Sequence, residues 1–541
     1  MFEDLDWAVV LIYFAVIFGV AVWVRPDKEH RSAADYFLAG RNVGWFVVGA
    51  SLFASNIGSE HLVGLAGSGA ASGVAVAQFE LLASFSLILL GWVFVPFYVK
   101  SGVFTVPEFL EKRFSPGPRV FLAVISVIAY VLTKISVTIA AGGIVFETLM
   151  GIPFWWGAGL TVAFTGVYTL IGGLRAVLYT DMVQTFVLLV GAVTVTVLGL
   201  DAVGGWAGLR AGLPTDYFSL WRPTDHPDYP WSGILLGAPI LAVWYWCTDQ
   251  FIVQRVLSAR TVSEARRGTI FAGFLKQLPL FIFVLPGLIA IALANEGVVV
   301  MGENDQALPA LVGTLLPAGL KGLVAAGLLA ALMSSLSSVF NSCSTLISMD
   351  LYRKLVPGAT DRGEVNVGRL SVITLVIFGL AWIPMTDVVS GELFTYIQSI
   401  QAYLSPPITA VFLLALLWSR GNAIAAMTTL IVGAAFGIGR LALEINKASL
   451  GGYLLAIADV NFLHFAFLSF VVCVFVFVGV ALLTKPPPEE RIRGLTLRYS
   501  AENNDPHAEA LTGRKADIVL TIALVSLVAL IWFLFSPLSM T

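Results

Sequence analysis

Apolar runs of about 20 residues, long enough to cross a bilayer as a helix, recur from end to end of this 541-residue chain. One of them is not fit to face lipid. The stretch Phe53–Glu80, FASNIGSEHLVGLAGSGAASGVAVAQFE, lies between apolar flanks and so at membrane depth, yet it carries Asn56, Ser59, Glu60, His61 and Glu80 with five glycines. Polar and ionisable groups in hydrocarbon are costly unless they find partners or line a wet cavity. Its composition is that of a broken helix lining a solute site, which makes the chain a transporter candidate. Hydrophobic residues make up 58% and charged residues 12%, about half the charged share of a soluble globular domain. With a mean hydropathy of +0.88, this is a polytopic membrane protein with little room for a soluble domain. A net charge of −3 points to no nucleic-acid partner. Cys247, Cys343 and Cys473 lack metal-ligand spacing, so neither a disulfide framework nor a zinc site is implied.

About fourteen spans are expected: 7–24, 44–69, 74–99, 120–149, 152–171, 177–200, 232–257, 269–295, 317–349, 367–386, 392–418, 421–443, 453–483 and 516–537. Short cytoplasmic loops collect Lys and Arg. Alternate connections here hold Arg25 to Arg41, Lys100 to Arg119, Arg175, Arg255 to Arg267, Arg353 to Arg369, Arg420, and the run from Lys485 to Lys515. The opposite connections carry chiefly Arg210, Arg222 and Lys447. This places both termini outside. The acidic start MFEDLDW is unlike a secretory signal, so the first span is expected to be retained. The longest polar pieces, about 201–231 and 485–515, carry no enzymatic signature.

Three further clusters interrupt the apolar pattern. Trp244-Tyr245-Trp246-Cys247-Thr248-Asp249-Gln250 lies inside the seventh span. Two polar interruptions, each in the lead helix of a block of five spans, are what an inverted-repeat transporter shows; the blocks would be 44–200 and 232–418. Ser334, Ser335, Ser337 and Ser338 set hydroxyls along one helix face. Hydroxyls and freed carbonyls suit sodium, a hard cation; equally, such hydroxyls bond back to their own helix or hold helices together. Last, Phe394-Thr395-Tyr396-Ile397-Gln398 is followed by Gln401 and by Ser405-Pro406-Pro407. Glutamine both donates and accepts, which suits a neutral polyhydroxylated solute, and the prolines read as a kink.

ASNIGSEHLVGLAGSGAASG, YVLTKIS, YTDMVQT, WYWCTDQFIVQR, LKQLPLFIFVLPG, ALMSSLSSVFNSCSTL and LFTYIQSIQAYLSPP occur in order and at matching spacing from about residue 35 to 420. Together they resemble the sodium/solute symporter family, in its sodium–glucose cotransporter branch. The resemblance implies an all-α integral membrane protein with the LeuT-like five-plus-five inverted repeat and extra helices at both ends. The divisions would be 1–43 (extra helix and loop), 44–200 (first repeat), 201–231 (extracellular loop), 232–418 (second repeat) and 419–541 (extra helices). It further implies no enzymatic activity, no cofactor beyond sodium as coupling ion, and import of a glucose- or galactose-type sugar by alternating access. Carried over by residue, sodium would meet the Ala54, Ile57 and Ala331 carbonyls and the Ser334 and Ser335 hydroxyls. Sugar would meet Asn56, Glu60, His61, Glu80, Lys276 and Gln398. Tyr245, flanked by Trp246, would be the inner gate, stacking on the sugar's apolar face, with Phe79 and Phe394 as outer lids. Asp181, Ser337 and Ser338 would form a second sodium site or an exit route.

Several of these residues have simpler readings. His61 could be a packed interior histidine, Lys276 could pair with Asp249 across helices, and Asp181 could N-cap the sixth span. Lys134, in mid-span, has no assigned role. Ala242 and Ala83 stand where some relatives carry Asn and a hydroxyl, which removes contacts to a sugar. Competing functions are import of myo-inositol, sialic acid or an amino acid such as proline, or a sugar sensor or sodium channel without coupled transport. The modest length points to a bacterial plasma (inner) membrane.

Overall fold

The computed structural model describes residues 2–24, 33–58, 60–386, 393–497 and 515–540, and among them the chain is helical, with only two isolated bridge pairs of extended backbone, Val43–Ala259 and Arg222–Pro230. Hydrocarbon offers no partner for a bare N–H or C=O, so helices, which pair their own backbone, are what an apolar chain of this kind can form. Twelve helices among the described residues are long and apolar enough to cross a membrane. The expected fourteen spans therefore do not all appear as spanning helices. The expected 44–69 span is broken after the twelve-residue helix Trp45–Asn56. The expected 152–171 and 177–200 spans are the two arms of Phe154–Ala202, two helices that meet at Gly173, where φ 56 and ψ −152 are not helical. A Cβ at Gly173 would lie 2.6 Å from the Tyr36 carbonyl oxygen, so the bend needs glycine for both conformation and space.

Burial sorts the helices into a centre and a periphery. The window in Leu320–Leu355 is 94% buried and that in Val262–Asn295 78%, against 28% for Asp4–Trp23 and Phe462–Leu483 and 22% for Lys515–Leu534. These three helices thus pack at the periphery and present apolar side chains such as Leu11, Phe475 and Phe533 outward. At the centre, Leu320–Thr345 runs along Phe154–Ala202. Small residues bring backbones together here, as membrane helices do when no water drives them to pack. A Cβ on Gly287 would lie 2.0 Å from the Ala66 carbonyl oxygen, and one on Gly69 2.6 Å from that of Val284.

Both expected interruptions are present. Trp45–Asn56 stops at Ile57, whose ψ of 101° is extended, and helical structure resumes from Glu60 to Ser72. The second break falls at Asp249, at ψ 126°, between the wide turn Trp244–Thr248 and the helix Gln250–Leu257. Asp249 caps that helix by accepting from the Phe251 N–H at 3.1 Å.

Several cations read as loop charges prove to be buried. Arg113 and Arg255 are 0% exposed, Arg266 2% and Arg119 6%. Arg113 donates to the Ala415, Trp418 and Gly421 carbonyls, filling acceptors left at the end of the helix Leu393–Leu417. Arg119 donates to Glu111 and Asp350, each at 2.5 Å. A guanidinium with its fork of donors filled in this way is no longer a loop charge.

The first helix is pinned to the central one by a single carboxylate. Asp6 accepts from the Gly319 and Gly322 backbone N–H groups, both at 2.7 Å, at the start of Leu320–Thr345. Asp6→Ala is expected to cost about 1–2 kcal/mol, the worth of an N-terminal cap, read as a lowered thermal midpoint of the purified protein. Asp6→Asn keeps an acceptor oxygen and should recover most of that loss; equal losses in the two variants would mean that the cap contributes nothing.

Candidate solute and ion site

Between the two breaks lies a cavity whose walls include Asn56, His61, Phe79, Glu80, Tyr245, Trp246, Phe394, Gln398 and Gln401. All four gate residues proposed from the sequence and four of the six sugar contacts therefore face one space. Lys276 stands behind the wall at 1% exposure and donates to both Asn56 Oδ1 and Glu80 Oε2. Its partner is Glu80, not Asp249, whose Oδ1 caps Gln250–Leu257. Glu80 Oε1 lies 3.3 Å from His61 Nε2. His61 Nδ1 accepts from the Gly58 N–H at 3.4 Å, which leaves Nε2 to carry the proton toward Glu80 in the neutral ring. The carboxylate is thus held from both sides, and the ammonium cancels its charge. Ser59 and the side chains of Glu60, Thr395 and Tyr396 lie outside the described residues.

On one side of the cavity Phe79 and Phe394 meet edge-on at 5.8 Å, and Phe79 packs on Tyr229 from the 201–231 connection at 6.1 Å. On the other side, Tyr245 closes against Trp246 at 5.2 Å and Phe251 at 6.2 Å. The Tyr245 hydroxyl accepts from Asn56 Nδ2 at 3.0 Å and from Lys134 Nζ at 3.1 Å. Ala83 and Ala242 also line the cavity, as an apolar wall with Leu82 and Leu241.

The first helix break lies against the serine-rich face of Leu320–Thr345. Ser335 Oγ donates to the Ser55 carbonyl at 2.9 Å and the Ile57 carbonyl at 3.3 Å. Ala54 and Ala331 are both buried, at 1% exposure. Ser334 Oγ turns to Asp181 Oδ1 at 2.6 Å, while Ser51 and Ser55 donate to Oδ2 at 2.6 and 2.9 Å. Ser338 joins through Ser55 at 3.0 Å. Ser337 instead bonds back to the Ser334 carbonyl at 3.0 Å, so its hydroxyl is not brought to Asp181. Asp181 lies in mid-helix within Phe154–Ala202 and caps nothing.

Three contributors were missed or left without a role. Arg255 Nη2 lies 3.9 Å from Asp181, and Arg255 Nε donates to Ser55 at 2.6 Å, so a residue counted with the loops holds the ion cluster. Ser51 and Ser55, four apart before the break, carried a legible helix-face signal. Lys134 carried another: an ionisable residue in mid-span is a functional candidate by default.

Residues 36–433 match the sodium:solute symporter family. Sodium/glucose cotransporter 1 of Sus scrofa is 40% identical over an alignment of 543 positions that covers 92% of this chain and 82% of that protein. The chain belongs to the sodium:solute symporter family. Sodium/myo-inositol cotransporter 2 of Homo sapiens is also 40% identical, over 91% of this chain and 79% of its own. Among solved structures, a Na+-coupled sialic acid symporter in a substrate-bound outward-open state superposes with TM-score 0.78 at 24% identity, covering 90% of this chain and 99% of that one. Mhp1, a nucleobase-cation-symport-1 family transporter, gives 0.54 at 15% identity, covering 86% and 98%. The fold of this symporter is accordingly the expected LeuT-like, all-helical one, and its class is transporter.

The buried pair makes a direct prediction. Lys276→Met leaves Glu80 charged without its cation and should destabilise the protein by about 3–5 kcal/mol. The double variant Glu80→Gln/Lys276→Met removes both charges and should regain most of the lost thermal stability. Additive losses would show that the two residues do not act as a pair.

Proposed function

We propose that this symporter imports a neutral polyhydroxylated solute of monosaccharide size, of the glucose or galactose type, driven by sodium across the plasma membrane. One observation carries the reading: the cavity offers amide, imidazole and carboxylate groups, and Glu80, the one carboxylate among its described lining residues, is neutralised by Lys276. An anionic or cationic solute would leave a charge uncompensated in a low-dielectric site, whereas a sugar exchanges water's hydrogen bonds for those of Asn56, His61, Glu80 and Gln398. The wall of Leu82, Ala83, Leu241 and Ala242 accepts the apolar C–H face of a ring, and Tyr245 stacks on it. The names of the relatives, sodium/glucose and sodium/myo-inositol cotransporters, support a neutral polyol; myo-inositol is the second reading, on the same chemistry.

In this reading both termini face outside, Phe79 and Phe394 are the outer lids, and Tyr245 with Trp246 is the inner gate. Sodium binds the Ala54, Ile57 and Ala331 carbonyls with the Ser334 and Ser335 hydroxyls. There it turns away the proton that Ser335 now directs at Ser55 and Ile57 and stiffens the break that ends in Asn56. A solute held by Asn56 is thereby favoured when sodium is present, and the solute must raise sodium affinity by the same factor. Asp181, with Ser338 joined to it through Ser55, is a second sodium site or an exit route that leaves Ser337 out; a cation there competes with Arg255 for the carboxylate. One charge crossing 100 mV supplies about 2.3 kcal/mol and a tenfold gradient about 1.4. One sodium sustains accumulation of roughly a few hundredfold, and two about its square.

In proteoliposomes, uptake of labelled glucose, galactose or myo-inositol should depend on inward sodium and vanish when potassium or choline replaces it. Gln398→Ala should raise the half-saturating solute concentration about tenfold, as loss of one well-made hydrogen bond to a polar solute does. Ser335→Ala should raise the half-saturating sodium concentration with less effect at saturating sodium. Sodium flux without uptake of any of the three solutes would overturn the solute, and no sodium movement would overturn the function.

A further inference from the structure

Lys134 sits in a wide helical turn, Val131–Ile135, between the helices Pro116–Tyr130 and Ser136–Met150. It faces a second such turn, Trp244–Thr248, which carries Tyr245. Turns of this kind interrupt regular helix packing and recur at functional positions. Lys134 Nζ donates to the Tyr245 hydroxyl at 3.1 Å and lies 4.4 Å from the Tyr245 ring centroid and 4.1 Å from that of Phe251. One ammonium therefore holds Tyr245 by its hydroxyl and its face at once, and ties it to the helix beyond the second break. In a dry setting an ammonium over an aromatic face binds more strongly than at a surface.

Tyr245 and its tether Lys134 line two different spaces. One is the solute cavity. The other is a crevice lined by Tyr130, Thr133, Lys134, Trp244 and Leu404. Gln401 borders both. A solute leaving past Tyr245 must part that ring from Lys134 and then passes groups able to take its hydroxyls. Asn56 holds the same hydroxyl from the cavity side at 3.0 Å, so Lys134 is the tether a bound solute does not reach directly.

We propose that Lys134 is the positioning residue of the inner gate, a cationic latch that keeps Tyr245 across the floor of the solute cavity until the gate opens into the Lys134–Gln401 crevice. The proposal rests on reading Tyr245 as a gate, and its test needs no knowledge of the solute. The latch predicts that removing the ammonium lets the gate open without cargo, whereas a merely structural lysine would change stability and leave the gate closed.

The test is thiol labelling of a reporter cysteine in the cavity wall, Ala242→Cys, in sealed membranes, with an impermeant maleimide applied to one face at a time. Cys247, Cys343 and Cys473 are buried, and each variant without the reporter supplies the background. Lys134→Met is expected to raise the labelling rate at least fivefold from the face that carries Gln250–Leu257. Lys134→Arg, which keeps both the charge and the donor, should stay within twofold of the parent. Sodium-free efflux of preloaded solute should rise with labelling in Lys134→Met. Labelling at the parent rate in a Lys134→Met protein with an intact thermal transition overturns the latch. Should Lys134→Met fail to fold, Lys134→Gln, which keeps a donor and loses the charge, decides in the same way: faster labelling supports the latch and unchanged labelling overturns it. A parent chain that moves neither sodium nor sugar overturns the functional reading instead, and the labelling comparison still stands.

Discussion

A helix that stops in mid-membrane leaves carbonyls and amides that hydrocarbon cannot satisfy, and the interior of this protein is arranged around two such stops. At Asn56–Ile57 the freed carbonyls of Ser55 and Ile57 receive the Ser335 hydroxyl from the central helix. At Thr248–Asp249 the Cys247 carbonyl receives the Tyr98 hydroxyl at 2.8 Å, and the Asp249 carboxylate takes the Phe251 N–H. The stops therefore dictate which residues their neighbours must supply. The most buried helix carries serines because one break rests on it, and in the proposed reading sodium takes the Ile57 carbonyl oxygen from the hydroxyl, which keeps its proton and turns it away.

Charge is handled by the same rule of local closure. Glu80 with Lys276, Asp181 with Arg255, Asp350 with Arg119, and Asp517 with Arg267 each place a buried carboxylate beside a cation. Such pairs add little stability over apolar residues but make the loss of one partner costly. Their closeness differs in a way that matters. Glu80 is clamped on both oxygens, by Lys276 and His61, and reads as a fixed neutral wall. Asp181 has its cation at 3.9 Å, and three serine hydroxyls intervene. A carboxylate screened by hydroxyls and only loosely paired can exchange its cation, and a clamped one cannot.

Much of this was legible in the sequence because hydrocarbon removes alternatives. A run such as 53–80, polar at membrane depth, has few structures open to it, so the break, the cavity and the facing Asn56, His61, Glu80 and Gln398 could be inferred. What hydropathy could not separate was a cation in a loop from a cation just inside it. Arg255 lies six residues past Asp249 and was grouped with Arg260, yet one turn of helix carries it inward to Asp181. Arg113 was lost for the same reason, since the acceptors it fills lie some 300 residues away, at Ala415 and Gly421. The junction between the expected 152–171 and 177–200 spans rests on a single residue: Gly173 turns the chain between two helices, and no run of hydropathy registers a φ of 56°. Lys276, expected among the site residues, stands behind the cavity wall against Asn56 and Glu80, and residues far apart in sequence decide that its partner is Glu80 and not Asp249.

The cavity's polarity is lopsided, and that bears on what it can hold. Donors and acceptors cluster at Asn56, His61, Glu80, Gln398 and Gln401, while Leu82, Ala83, Leu241 and Ala242 form an alkyl wall. A site with hydrogen-bonding groups on every side selects for a solute polar all round; a site with one alkyl wall selects for one whose hydroxyls radiate from a ring with an apolar face. In the proposed reading a pyranose or a cyclitol has that shape, while an amino acid zwitterion or a sialate brings full charges that Lys276 and Glu80, paired with one another, do not answer. Alanine at positions 83 and 242 therefore narrows the solute by subtraction. It withdraws partners from one face of the ring and leaves the orientation of the hydroxyls to be read by the amides and carboxylate opposite.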